Sequence, residues 1–376
     1  MKWVTAFAES QCGNYMYRMN VGGRTFRTVL RLPFGGKKLR LTIASMYGTE
    51  LSIGAMSVTS GVVCRKVTVA GRSAFTVKKN QRFLSDEIEL ETEDGGEVEI
   101  RTYFAGGKCQ SGLWKATTYS VPGDFTEGEF LSSDDDLWAR EKRPLDIGIP
   151  LPAVTGIDVY TPYEDARAVA ILGASNEYLG RWVGPVQKKA EETDPHTAIL
   201  NLSISGNRLM KDTGSNYLLR DLFGDNAFKR FDEEVKNFSE VRVLVICVGC
   251  NDLFQPHSFA CYPWEKTPSA KEMEEGYTKM AQKAHEAGMK AVGVTVSPFK
   301  YGDKVTEDKL AIRKEVNEWI LSTDVFDACF DIAAPIRDPE DPESIREGLV
   351  ENDHVHFSVE GGKAIAEAFP MELLRL

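Results

Sequence analysis

Apolar and polar positions follow two different rhythms along this chain. Up to about residue 150, short runs such as Thr25–Leu32, Lys38–Ile43 and Glu97–Phe104 alternate apolar with polar residues. A period of two belongs to a strand with one face in the core and the other toward water. Gly22-Gly23, Gly35-Gly36, Gly71 and Asp94-Gly95-Gly96 separate these runs as turns. Many short strands with no helical period predict an all-β sandwich of jelly-roll type.

After a Pro- and charge-bearing stretch, Arg140–Pro152, the rhythm changes. Ala168–Leu172, Ala198–Leu202, Val241–Val248 and Ala291–Val296 are almost continuously apolar, which suits strands buried on both faces of a parallel sheet. Helical patterns lie between or after them: Val186–Glu192 behind Pro185, Lys271–Ala287 capped near Ser269, Asp308–Leu321 and Ser358–Leu374. The alternation predicts an α/β domain with helices on both faces of its sheet, a three-layer α/β/α sandwich. The expected division is a β-sandwich over 1–150 and the α/β domain over 151–376, with a linker at about 140–165.

With 376 residues, 42% of them hydrophobic, the chain can bury two cores. A formal net charge of −11 and a pI near 5.2 argue against nucleic-acid and anionic-membrane partners, since phosphate is repelled overall. The basic run Gly36–Arg40 reads as a solvated hairpin turn. Glu9, Ser10 and Gln11 interrupt the apolar start, so no signal-peptide core is visible, and no stretch approaches the roughly 20 apolar residues of a membrane span. A cytoplasmic location is the expectation. Seven irregularly spaced cysteines suit reduced thiols. Cys247 and Cys250 form a CxxC pair with no second pair or histidines at ligand spacing, and they close an apolar strand rather than open a helix. A structural role is expected for both.

Four separated segments carry the candidate chemistry: Gly173-Ala174-Ser175-Asn176, Ser205-Gly206-Asn207, Gly249-Cys250-Asn251-Asp252 and Asp353-His354-Val355-His356. Each falls where a predicted strand ends or a loop precedes a helix, the edge at which open α/β sheets gather ligands. Ser175 alone reads equally well as a turn or capping serine, so the histidines decide. His285 lies on a charged helical segment and His196 in an Asp-Pro loop; both read as structural or surface residues. His257, just past Asn251, reads as a pocket-rim residue, and His354 as a loop side chain. His356 stands three residues after Asp353, a spacing at which the carboxylate can accept the imidazole Nδ1–H and leave Nε2 free to take a serine proton. Acyl transfer also needs donors for an oxyanion. Gly206 brings its N–H close without a Cβ, Asn251 offers a side-chain amide, and the backbone N–H of Ser175 is a third donor.

The ordered Ser, Gly, Asn and Asp-x-x-His segments resemble the SGNH hydrolases, also called GDSL-like esterases and lipases. Asn201–Leu209 and Val248–Asp252 are similar to that family's second and third blocks. Trp3–Ala8, Ser45–Thr49 and Gly54–Val58 resemble, more loosely, bacterial two-domain members with a β-sandwich before the hydrolase. The resemblance implies Ser175 as nucleophile, His356 as base, Asp353 as its orienter, and Ser175, Gly206 and Asn251 as oxyanion donors. It implies no metal and no organic cofactor. One departure stands out: the family usually has Asp directly before the nucleophile, and here it is Ala174, followed by an unusual Asn176-Glu177.

The leading expectation is therefore a serine esterase acting on small acyl esters, with O-acetylated carbohydrate as the substrate class and self-association left open. A long apolar lid segment, as a lipase would want, is not seen. The alternative is a catalytically weakened relative whose sandwich binds glycan, with Trp114 and Tyr119 as a sugar platform or, more simply, as core or interface aromatics. A glycosidase with paired carboxylates rests only on the abundance of Asp and Glu.

Overall fold

The computed structural model describes residues 1–12, 19–47, 49–109, 117–130, 153–214, 217–258, 260–300 and 305–376. The chain divides into two compact units: Met1–Arg167 with Pro195–Ala198, and Ala168–Asp194 with Ile199–Leu376.

The first unit consists of antiparallel sheets. One runs Lys2–Ala8, Val154–Thr161, Lys38–Ala44, Arg82–Leu84. Another runs Thr117–Pro122, Arg24–Arg31, Glu97–Gly106, Leu51–Ser60, Val63–Lys66. The alternation read from the sequence is realised in the pairing register. Leu30 opposes Val98, Thr28 opposes Ile100 and Phe26 opposes Thr102, and all six are buried. A one-residue slip would turn this whole set toward water, so burial fixes the register. Val154–Thr161, inside the range expected for a linker, is instead an inner strand of the first sheet. Its Asp158 is 3% exposed and accepts from Thr5 Oγ1 at 2.6 Å and Arg40 Nε at 2.9 Å. Of the two aromatics considered as a sugar platform, Tyr119 is part-exposed beneath the Arg27 guanidinium, and Trp114 lies outside the described residues.

The second unit is built on a five-stranded parallel sheet ordered Thr197–Asn201, Arg167–Leu172, Val241–Ile246, Lys290–Val294, Ala328–Phe330. Residue parity assigns the faces. Val169, Ile171, Val243, Val245, Val292 and Val294 pack in one core with the helices Val183–Thr193 and Val359–Ala368. The helices Ala270–Glu286 and Glu307–Ser322 pack on each other and against Lys290–Val294. Gly293 lies close under Phe326, whose ring a Cβ there would meet at 2.6 Å. This is the expected α/β/α arrangement.

The apolar runs extend past the strands they mark. Val241–Ile246 stops before Val248, and Lys290–Val294 before Val296, although both valines are buried. Burial under the loops at the sheet's carboxyl edge keeps the pattern apolar after the ladder has ended. Ser358–Leu374 is likewise not one helix: Val359–Ala368 ends before Pro370, which cannot continue it, and a 3₁₀ turn Met371–Arg375 follows. In chain order the sheet reads 2-1-3-4-5. The first and third strands therefore send their connections in opposite directions, and the crevice between their carboxyl ends is the place where such a sheet binds ligands.

Candidate functional site

The first strand delivers Ser175 to that crevice. Leu172 ends the strand, and Ser175 opens the one-turn helix Ser175–Tyr178. The turn is closed by Glu177, whose Oε2 accepts the Ala174 N–H at 3.0 Å and whose Oε1 accepts the Trp182 indole N–H at 3.0 Å. Asn201 Nδ2 donates to the Glu177 carbonyl at 2.8 Å. Gly173 is required by this packing, because a Cβ would stand 2.5 Å from Glu177 Cγ. Glu177 is 3% exposed, and burial raises its pKa against the pull of the Trp182 and Ala174 hydrogen bonds.

Asp353 and His356 form the expected pair. Asp353 Oδ2 lies 2.5 Å from His356 Nδ1, while Oδ1 accepts the backbone N–H of Val355 at 3.0 Å and of His356 at 2.9 Å. Partial burial pushes the Asp353 pKa up, but the His356 and backbone hydrogen bonds outweigh it and hold the carboxyl below its usual value. The segment is tied to the serine turn by Asn176. Its Nδ2 donates to Val355 O at 3.3 Å and its Oδ1 accepts the Phe357 N–H at 2.9 Å, so one side chain grips both neighbours of His356.

The second and third segments meet on the other side. Gly206 has φ +77°, and a Cβ there would collide with the Phe223 ring, so only glycine fits. Its carbonyl accepts from Gln255 Nε2 at 2.8 Å. Asn251 Nδ2 donates to Asn207 O at 3.1 Å, which uses one of its two amide hydrogens and leaves the other for a ligand. Asn207 is fully satisfied within the protein: it donates to Phe223 O and Asp225 O and accepts from Arg230 Nη1. Asp252 accepts the N–H groups of Leu209 at 2.7 Å and Met210 at 3.1 Å, so the residue after Asn251 anchors the residues after Gly206. Burial pushes the Asp252 pKa up, opposed by the Arg208 charge and the two N–H donors. Arg208 is itself 1% exposed and pairs with Glu265 at 2.5 Å.

Ser175, Asn176, Glu177, Asn251 and Val355 line one narrow cavity of about 20 Å³, roughly the room of a single water. Cys247, Cys250, Thr295 and Ser297 line its other walls. Cys250 is the first residue of the helix Cys250–Phe254, not the end of a strand as the sequence suggested. Both thiols remain poor nucleophiles, because burial pushes Cys250 up to about 12 and Cys247 well above the thiol range. The remaining histidines lie elsewhere. His285 is exposed with Nε2 2.8 Å from Asp327, and His196 stacks on Tyr163 at 3.8 Å beside Asp165. His257 is exposed at φ +69°.

Near the Arg208–Glu265 pair, Tyr262 and Trp264 stack at 4.8 Å with an interplanar angle of 15°, and Trp264 is 75% exposed. Sequence reasoning missed this pair, along with the roles of Asn176, Glu177, Arg208 and Asp252. The one visible signal was their adjacency to the named motif residues.

A family model described as the GDSL-like lipase/acylhydrolase family matches residues 169–364, more than half of the chain. Among curated proteins none matches in sequence. Solved structures similar to this chain include a GDSL-like lipase from Bacteroides thetaiotaomicron, 20% identical over 57% of this chain and 90% of that one, with a TM-score of 0.39. An acetyl xylan esterase from Geobacillus stearothermophilus is 19% identical over 55% and 94%, with a TM-score of 0.41. Est24, a carbohydrate acetylesterase from Sinorhizobium meliloti, is 14% identical over 54% and 95%, with a TM-score of 0.40. The four ordered segments and the family match together identify this chain as a member of the GDSL-like lipase/acylhydrolase family and a carboxylic ester hydrolase.

Proposed function

We propose that the protein is a serine esterase that removes small acyl groups, with O-acetyl groups on carbohydrate as the substrate class. The observation that carries the reading is the Asn176 grip on Val355 and Phe357, which holds the serine turn and the histidine segment as one piece. Ser175 is assigned as nucleophile, His356 as general base and Asp353 as its orienter. The Asp353 carboxylate takes the Nδ1–H, so Nε2 carries the lone pair.

In this mechanism His356 Nε2 accepts the Ser175 hydroxyl proton as Oγ attacks the ester carbonyl carbon. The oxyanion that forms is held by the N–H groups of Ser175 and Gly206 and by the free amide hydrogen of Asn251. The imidazolium then gives its proton to the leaving alcohol as the C–O bond breaks. Water, losing a proton to Nε2, attacks the acyl-serine, and Ser175 leaves with that proton. Every step is proton and acyl transfer, with no oxidant or reductant required.

Two features support the substrate class. The narrow cavity at Ser175 favours a short acyl group. The exposed, stacked Tyr262 and Trp264 offer a flat apolar surface with polar neighbours, which suits the apolar face of a sugar ring. The first unit is assigned as an accessory β-sandwich.

The test is hydrolysis of p-nitrophenyl acetate, butyrate and octanoate by the wild type and Ser175→Ala. Turnover that falls with chain length and disappears in Ser175→Ala is expected. Turnover that persists without Ser175 would exclude this mechanism. No Ser175-dependent turnover, with no labelling of Ser175 by a fluorophosphonate, would favour the glycan-binding alternative.

A further inference from the structure

Glu177 has no part in the mechanism above, yet it is a buried carboxylate two residues from Ser175. An ionised carboxylate in an apolar interior costs several kcal/mol unless it is paired, so a chain without use for one would be better served by a neutral side chain here. Its two oxygens each accept an N–H, from Ala174 and from Trp182, at 3.0 Å. Neither of these partners can accept a proton, so the two hydrogen bonds favour the ionised form against the burial that raises the pKa. The indole that anchors it is fully buried against Phe369. The carboxylate therefore joins the hydrolase core to the peptide unit immediately before Ser175.

The titratable groups around this turn are themselves engaged. In the histidine segment, His356 Nδ1 is taken by Asp353. From the third strand's end and the helix after it come the neutral thiols Cys247 and Cys250. Asp252 and Arg313 bear on Cys250, and Arg313 is paired with Glu343. Arg181 is paired with Glu351. Glu177 itself contacts the Ala174 and Trp182 N–H groups and, through its carbonyl, Asn201.

We infer that Glu177 is a positioning residue for the esterase reaction. It fixes the Ala174–Ser175 turn by accepting the Ala174 N–H and holds that turn to the core through the Trp182 indole N–H. The inference rests on the proposed roles of Ser175 and His356. No bond is made or broken at Glu177, and it does not touch the substrate. The same carboxylate works against stability. Burial raises its pKa above the unfolded value, so it favours folding below the unfolded pKa, and that contribution is lost as pH rises through the folded pKa. Above that value the buried carboxylate no longer adds to the stability of the fold.

The experiment is Glu177→Gln on the full chain, with Glu177→Asp beside it. Both are assayed for kcat and KM on p-nitrophenyl acetate from pH 5 to 9, with Tm measured at pH 8. Gln preserves the volume but turns one acceptor into a donor and removes the charge. The expected result is a fall in kcat of about 10- to 100-fold with KM little changed, since small misplacement of a reacting group is enough for that loss. Tm should match or exceed that of wild type. Partial recovery of kcat by Glu177→Asp would also support the inference. A kcat within twofold of wild type would overturn it. So would a kcat loss that tracks a falling Tm, which would make Glu177 a core residue only. If instead Ser175→Ala retains full turnover, the assignment of the site fails, and that outcome is distinct from either result at Glu177.

Discussion

The two sides of the candidate site are built from opposite materials. On the side of the proposed base, Asp353 is 48% and His356 31% exposed, and one carboxylate on a short loop makes three hydrogen bonds that hold this segment together. On the side of the proposed oxyanion donors, Asn207, Arg208 and Asp252 are at most 1% exposed and fully enclosed in a network of ions and backbone groups. A proton carrier must exchange with water and reorient slightly, whereas oxyanion donors act through being fixed before charge develops. Rate and stability should therefore separate between the two sides.

The largest effect should come from the exposed side. His356→Ala is expected to lower kcat/KM on p-nitrophenyl acetate by at least about 10³-fold while leaving the urea midpoint close to that of wild type. Asp353→Asn should lose rate as well, because the wrong ring tautomer is then favoured. The Asp353 pKa is lowered in the fold, so its ionisation favours the native state above the unfolded value and that contribution is lost only as pH falls through the folded value. Stability should accordingly show no step from Asp353 between pH 5 and pH 8. A large fall in stability for His356→Ala would erase the distinction between the two sides.

Arg208→Ala is the converse. Removing the guanidinium leaves Glu265 without its ion-pair partner and takes a positive charge from near the buried Asp252, a loss of about 3 kcal/mol for a broken buried pair. The midpoint of denaturation should fall, and activity with it, because Asp252 also holds the backbone of Leu209 and Met210 beside Gly206. Full stability with reduced activity would mean that the network serves catalysis alone.

How much of this was legible in the sequence follows the same division. The residues proposed to react could be picked out because their spacing is local: Asp353 and His356 lie within one turn, and Gly206 and Asn251 sit at the ends of apolar runs. The sheet could be read for a similar reason, since burial on both faces leaves continuous apolar segments. The clamps were not legible, because they join residues far apart in the chain. Asn176 reaches 179 positions to Val355, and Asp252 reaches 43 to Leu209. No periodicity encodes such a contact. Glu177 was hidden differently: a glutamate in a polar-looking stretch suggests solvent, and only the fold shows it turned inward onto Trp182. Ala174 read as a lost carboxylate, yet the turn holds one, entering from three residues later. The connector Arg140–Pro152 lies outside the described residues, and the strand Val154–Thr161 after it was hidden for the same reason, since its inner position depends on partners at Lys2–Ala8 and Lys38–Ala44.

The smallest expected effect probes where the buried side meets solvent. Arg208 and Glu265 fix the chain directly after Trp264, and Cys261 is buried just before Tyr262, so both ends of the aromatic pair are anchored while the rings stay outside. Rings left in water on an anchored loop contribute little to folding, and Trp264→Ala should leave Tm unchanged. On p-nitrophenyl acetate, too small to span both the cavity and the loop, kcat and KM should also be unchanged. On an O-acetylated oligosaccharide the loss of one stacking surface, about 0.5–1.5 kcal/mol, should raise KM by about 3- to 10-fold at constant kcat. A KM rise on p-nitrophenyl octanoate and none on the sugar ester would reassign the pair to the acyl chain. The buried side would then select the acid half of the ester rather than the alcohol.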